Sequence, residues 1–118
     1  MEIIFLNCLN GKVREPIKNF LLEHTGKTDL FCLQEVYEKK YNMRKLCEEA
    51  LRDYSPTFAY KEIEGDNFSS ATYVHPRVQI LETEILLPNE KDLGLGIVTE
   101  VLNQGKRLNI CNFQQNIR

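Results

Sequence analysis

Two short apolar runs, Ile3-Ile4-Phe5-Leu6 and Leu30-Phe31-Cys32-Leu33, each stop at polar side chains: Asn7 after the first, Gln34 and Glu35 after the second. Unbroken apolar runs of this length, closed by polar residues, are the pattern of strands covered on both faces. Between them Val13, Ile17, Phe20, Leu21 and His24 recur at helical spacing, with Pro16 suited to a first turn and Gly26 offering a stop. Strand, helix and strand in that order predict a right-handed parallel unit, so Asn7 and Glu35 should emerge at one edge of one sheet. A lone strand-end glutamate is more often the first solvated residue of a loop. The company of Asn7 changes its meaning. Ligands of such sheets bind beyond the carboxyl ends of the strands, and an amide oxygen beside a carboxylate suits a hard cation such as magnesium.

Residues 36–40 read as a linker. Met43, Leu46, Cys47, Ala50, Leu51 and Tyr54 then form one continuous apolar stripe of a helix, with Asn42 as its cap and Pro56 beyond its end. Arg44–Glu48, Lys45–Glu49 and Glu48–Arg52 are opposite-charge pairs one turn apart on its outer face, a solvated surface. From residue 57 the texture turns to β-branched and aromatic residues, predicting strands at 57–63, 70–74, 78–87, 93–102 and 107–113. The short turns between them favour an antiparallel meander. Leu93, Leu95, Ile97, Thr99 and Val101 alternate cleanly, so one face of that strand is buried; the apolar phase slips after Ile80, which suggests a bulge. The predicted fold class is α/β (α+β), two helices on a mixed, largely antiparallel sheet.

A chain of 118 residues suffices for one small domain, and 42% hydrophobic with 27% charged residues is an ordinary globular balance. The net charge is −2, and the longest basic runs are Lys39-Lys40 and Lys106-Arg107. That leaves no electrostatic footprint for tight nonspecific nucleic-acid binding, although a phosphodiester held through a metal is still compatible. The cysteines at 8, 32, 47 and 111 lack Cys-Xaa-Xaa-Cys spacing, which argues against zinc. Cys32, Cys47 and Cys111 read as small buried hydrophobes in a reducing compartment. His24, at the fraying end of its helix, and His75, before Pro76 in a turn, read as structural, and Asn67-Phe68-Ser69 as a chance glycosylation pattern. No signal peptide or membrane-length apolar stretch is recognised, so the expectation is a soluble cytoplasmic protein without a membrane partner.

Taken together, Ile4-Phe5-Leu6-Asn7 before an Asn-Gly loop, and Asp29-Leu30-Phe31-Cys32-Leu33-Gln34-Glu35, resemble the start of the endonuclease/exonuclease/phosphatase superfamily, the deoxyribonuclease I-like fold. Ser69-Ser70-Ala71-Thr72-Tyr73-Val74 and Leu108-Asn109-Ile110-Cys111-Asn112-Phe113 resemble later strands of the same family. The resemblance implies the N-terminal half of a four-layer α/β/β/α sandwich, residues 1–118 forming a single incomplete domain. It also implies cleavage of a phosphate ester or phosphodiester, in nucleic acid or a small phosphorylated molecule, with one Mg2+ (or Mn2+). Glu35 matches the metal-ligating glutamate, and Asn7 the asparagine that holds the metal site or the phosphate.

Two departures qualify it. Where many members carry a histidine two residues after the asparagine of the last strand, this chain has Gln114, which donates a hydrogen bond but carries no positive charge. The Gly-Asp-Xaa-Asn and Ser-Asp-His motifs that activate the attacking water have no counterpart up to Arg118. Hydrolysis needs a proton acceptor for the water. The resemblance therefore implies a truncated hydrolase (a shortened gene product, a split gene or a domain fragment), inactive by itself unless a second polypeptide supplies the missing half. The alternative is a non-catalytic α/β binding module that kept the sheet and lost the chemistry.

Overall fold

The computed structural model describes residues 1–86 and 94–114. Its elements run β1 (Ile3–Asn7), α1 (Arg14–His24), β2 (Leu30–Tyr37), α2 (Met43–Ala50), β3 (Ser55–Ile63), β4 (Asp66–Val74), β5 (Gln79–Leu86), β6 (Leu95–Asn103) and β7 (Lys106–Gln114). β1 and β2 pair in parallel, with Ile3 opposite Leu30 and Asn7 opposite Gln34. β4 and then β3 extend that sheet antiparallel, giving the order β1-β2-β4-β3, while β5, β6 and β7 form a second antiparallel sheet.

β2 explains why its sequence lacks alternation. Phe31 and Leu33 pack on one face with Leu21, Leu46, Cys47 and Tyr73, under the helices. Leu30 and Cys32 pack on the other with Val74, Val101 and Ile110, between the sheets. Both faces are interior, and fully burying each such side chain contributes about 1.5–3 kcal/mol. The layers are thus helices, first sheet, second sheet. Both sheets carry tight hairpins: Glu64-Gly65 joins β3 to β4 and Gln104-Gly105 joins β6 to β7, all four residues at positive φ. Such two-residue turns match the right-handed twist of the strands, and glycine adopts them at no steric cost.

The strands form two facing sheets with two helices on the mixed one, as expected of half an α/β/β/α sandwich, but the late strands do not run as one meander: only β5–β7 form one. Strand alternation does not encode which sheet a strand joins. The switch is made at His75-Pro76-Arg77, where Arg77 donates to the carbonyls of Gly26 (2.8 Å) and Lys27 (3.0 Å) and pairs with Asp29. Val36 and Tyr37 continue β2 and are not a linker. α2 ends at Ala50, short of the expected Tyr54, although Leu51 and Tyr54 stay buried in the same core. Asn42 does not cap α2: it sits in the left-handed region with no side-chain cap bond. The slip after Ile80 is a bulge, placed between Ile80 and Glu82. Cys111 is exposed because it lies in the outward phase of β7; Cys8, Cys32 and Cys47 are buried. The end of the expected third late strand (residue 87), the start of the fourth (residue 93) and the connection between them lie outside the described residues.

Candidate functional site

The site is built at the carboxyl ends of β1 and β2. Asn7 is the last residue of β1, and its Oδ1 accepts the Leu9 N–H at 2.8 Å. The Cys8 N–H donates to the Gln34 carbonyl at 2.8 Å, carrying the parallel ladder one step further. The chain then turns through Leu9, Asn10 and Gly11, all at positive φ. Only glycine fits the last place: at a φ of +87°, a Cβ on Gly11 would lie 2.6 Å from Met43 Cγ. Packing against α2 therefore fixes the loop that follows Asn7.

Glu35 reaches the same rim by a different device. Leu33 lies opposite Ala71 and Val36 opposite Ser69, so Gln34 and Glu35 together face the single residue Ser70. This bulge resets the alternation and returns Val36 to the helix-side core beside Leu33. Glu35 takes a φ of +57°, unusual for a side chain other than glycine. Backbone strain of this kind costs on the order of 1 kcal/mol and clusters at functional positions. The carboxylate lies near the Cys8 thiol, whose pKa is pushed far up by burial first and then by the neighbouring Cys47 and Glu35. Asn7 and Glu35 thus come to one rim, on adjacent parallel strands.

Gln114 ends β7 opposite Leu95, and its Oε1 is buried without a hydrogen-bond partner. β7 runs in the direction of β2: Ile110 packs with Leu30 and Cys32, and Asn112 reaches Leu33 and Gln34. Gln114, two residues further on the same face, therefore points toward the end of the sandwich that carries the rim. Between them sits the asparagine of the last strand, to which the motif assigned no role. Asn112 is 1% exposed and joins the sheets, its Nδ2 donating to the carbonyls of Leu33 (3.2 Å) and Ala71 (3.0 Å) with Thr72 Oγ1 at 3.3 Å, while its Oδ1 accepts from Gln34 Nε2 at 3.3 Å. Its signal was a polar residue in the inward phase of Leu108, Ile110 and Asn112. Ser70, opposite the bulge, is fully buried, and its Oγ has no partner.

Glu35 makes no hydrogen bond or ion pair among the described residues, and Asn7 Oδ1 keeps a second lone pair free. One carboxylate and one amide oxygen fit a magnesium ion that keeps most of its waters. Among the described residues no group of three or more His, Cys, Asp or Glu side chains gathers to hold a metal by protein ligands alone. The two histidines stand at the other end of β1 and β2: the His75 N–H donates to Asp29 O, and His24 Nδ1 lies 4.0 Å from Glu2. Neither reaches the rim.

The chain matches the solved structure of an endonuclease/exonuclease/phosphatase family protein from Leptotrichia buccalis C-1013-b with a TM-score of 0.71. The likeness is one of fold. Identity is 13% over 99% of this chain, and the chain spans about half (55%) of that protein's length. No family model matches the sequence, and no curated protein matches it. Two helices over paired mixed and antiparallel sheets are thus shared with a member of the family that the strand-end motifs resemble. No helix among the described residues is long and apolar enough to cross a membrane.

Proposed function

We propose that this chain carries the metal-gripping half of a phosphoesterase site, acting on a phosphate ester or phosphodiester. The observation that supports it most is the delivery of Asn7 and an unengaged Glu35 to one rim by parallel strands, Glu35 at a strained bulge. In this reading Glu35 and Asn7 hold a single Mg2+ or Mn2+. Such an ion, when bound, offsets the charge that develops on phosphoryl oxygens during displacement. Gln114 supplies a neutral hydrogen bond to the phosphate where a cationic group would act more strongly. Asn112 is a positioning residue, fixing Gln34 and the bulge against the second sheet. The groups that deprotonate water come from a second polypeptide or a further segment, so the chain alone turns over no substrate.

The test is a calorimetric titration with Mg2+ and with Mn2+, paired with hydrolysis of bis(p-nitrophenyl) phosphate. Wild type should bind one ion and hydrolyse nothing above background, and Glu35→Ala should not bind. Equal binding by both proteins would overturn the assignment of Glu35. The non-catalytic alternative is favoured by one observation, the lack of a three-member acidic or histidine cluster among the described residues. It predicts no metal binding by either protein.

A further inference from the structure

Among the described residues the two sheets have four edge strands, and they are not alike. β3 and β5 form one side of the sandwich, since Ala59 of β3 packs with Leu95 and Ile97 of β6, the neighbour of β5. Both are blunted. β3 carries Pro56 and Lys61, and β5 carries Glu82, Glu84 and the bulge after Ile80. Proline, charge and bulges keep an edge from pairing with another chain. β1 and β7 form the other side, where Asn112 of β7 lies over β2 and β4. These edges lack such devices: β1 reads Ile3-Ile4-Phe5-Leu6-Asn7, and β7 is uncharged from Leu108 to Gln114. β1 also projects past β7. Phe5 stands opposite the fully buried Cys32 on the face between the sheets, yet it is 55% exposed. Leu108, in the inward phase of β7 opposite the buried Val101, is 38% exposed.

We infer that a second copy of this chain docks along these two open edges, β1 of each copy pairing with β7 of the other. β7 runs in the direction of β1 and β2, so a half-turn about an axis along the strands exchanges the layers and the edges while keeping strand direction. Each β1 then meets a β7 in parallel, and each projecting Phe5 is covered by the other copy. Two such contacts use both edges once and close at a dimer. Charge matches as well. Ile3 and Ile110 share one core cluster, so β1 and β7 start at the same end, where Glu2 of one copy comes beside Lys106-Arg107 of the other. At the opposite end, the docked β7 lies on the far side of β1 from β2, so its Gln114 ends beside Asn7. Each rim thereby gains a neutral amide from the second copy. His24 and His75 do not come with it, because both stand at the other end of the strands. Pairing therefore extends the sheets and adds no hydrolysis. The inference rests on the edges and is independent of the metal assigned to Glu35.

Light scattering over a concentration series, without added metal, reads the assembly. The mass should reach twice the 13.8 kDa of one chain, and hydrogen exchange should slow at alternate amides of residues 3–7 and 108–114 as it does. Phe5→Lys and Leu108→Lys should each raise the dissociation constant at least about tenfold, a cost of about 1.4 kcal/mol, with unchanged circular dichroism to show that the chain still folds. Glu2→Lys should weaken the pair, and adding Lys106→Glu/Arg107→Glu to the same chain should restore it. Leu86→Lys, on the blunted side, should leave the dimer intact. A folded chain that stays monomeric at millimolar concentration overturns the inference, and so does a dimer that survives both Phe5→Lys and Leu108→Lys. The metal titration reports separately: a dimer that binds no ion keeps the joint and refutes the rim, and a monomer that binds one does the reverse.

Discussion

Replacing Asn112 by alanine should uncouple the two sheets at the rim. The Asn112 amide has two N–H donors shared among three acceptors, Leu33 O, Ala71 O and Thr72 Oγ1, and its oxygen accepts from Gln34 Nε2. Two buried donor bonds contribute about 1 kcal/mol each, and leaving Gln34 Nε2 and a carbonyl without their partner adds about 1 kcal/mol of uncompensated desolvation. The expected loss is therefore about 3 kcal/mol, a large share of a small domain's stability. Urea unfolding followed by circular dichroism measures it, with Asn109→Ala, three residues away on the exposed outer face, as the control. The midpoint should fall sharply for Asn112→Ala and hardly move for Asn109→Ala, with an unchanged slope in both. A loss below about 1 kcal/mol at Asn112 would show that the joint contributes only what a solvated hydrogen bond does, and the reasoning would fail.

Glu35→Gly relieves a non-glycine residue at positive φ, so it should raise stability by about 0.5–1 kcal/mol while removing the metal response; a lower melting temperature would contradict the strain. Partial burial raises the Asp29 pKa, but the Arg77 hydrogen bond and charge and the Glu2 N–H outweigh it and hold the carboxyl below its ordinary value. Its contribution is therefore present above an unfolded pKa of about 4 and lost as pH falls through the lower folded value. Asp29→Asn should flatten the stability profile below about pH 4, and an unchanged acid limb by thermal melting would refute the linkage. Burial pushes the Cys32 and Cys47 thiols up to about 12 and Cys8 higher still, while Cys111 faces solvent. A thiol reagent at neutral pH should label one cysteine in the native protein and all four in denaturant; fast native labelling of a second would show that the core opens.

Much of the fold was legible because β2 is buried twice over and α2 carries an unbroken stripe. The parallel pairing of β1 with β2 followed from the helix between them. Two sheets followed from the motif resemblance, but strand alternation alone did not say where the chain passes from one to the other, since the Arg77 contacts with Gly26, Lys27 and Asp29 at that point join residues far apart in sequence. Glu35 stood out as a strand-end acid, yet the strand runs on to Tyr37, and only pairing geometry reveals the bulge. Asn112 was hidden inside an apolar strand, its meaning set by partners on β2 and β4. Asn42 looked like a cap, but the turn at Tyr41 brings it to α2 in the left-handed region, where its side chain makes no cap bond.

The central claim, that β1 and β2 bring two oxygen donors to one ion, is tested most directly by titrating Mn2+ into the isotope-labelled protein and following paramagnetic broadening residue by residue. Broadening should begin at Asn7, Gln34, Glu35 and the Leu9–Gly11 turn, and should vanish in Glu35→Ala. Broadening that starts instead at Glu82, Glu84 and Glu100, or that persists unchanged in the variant, would contradict the account.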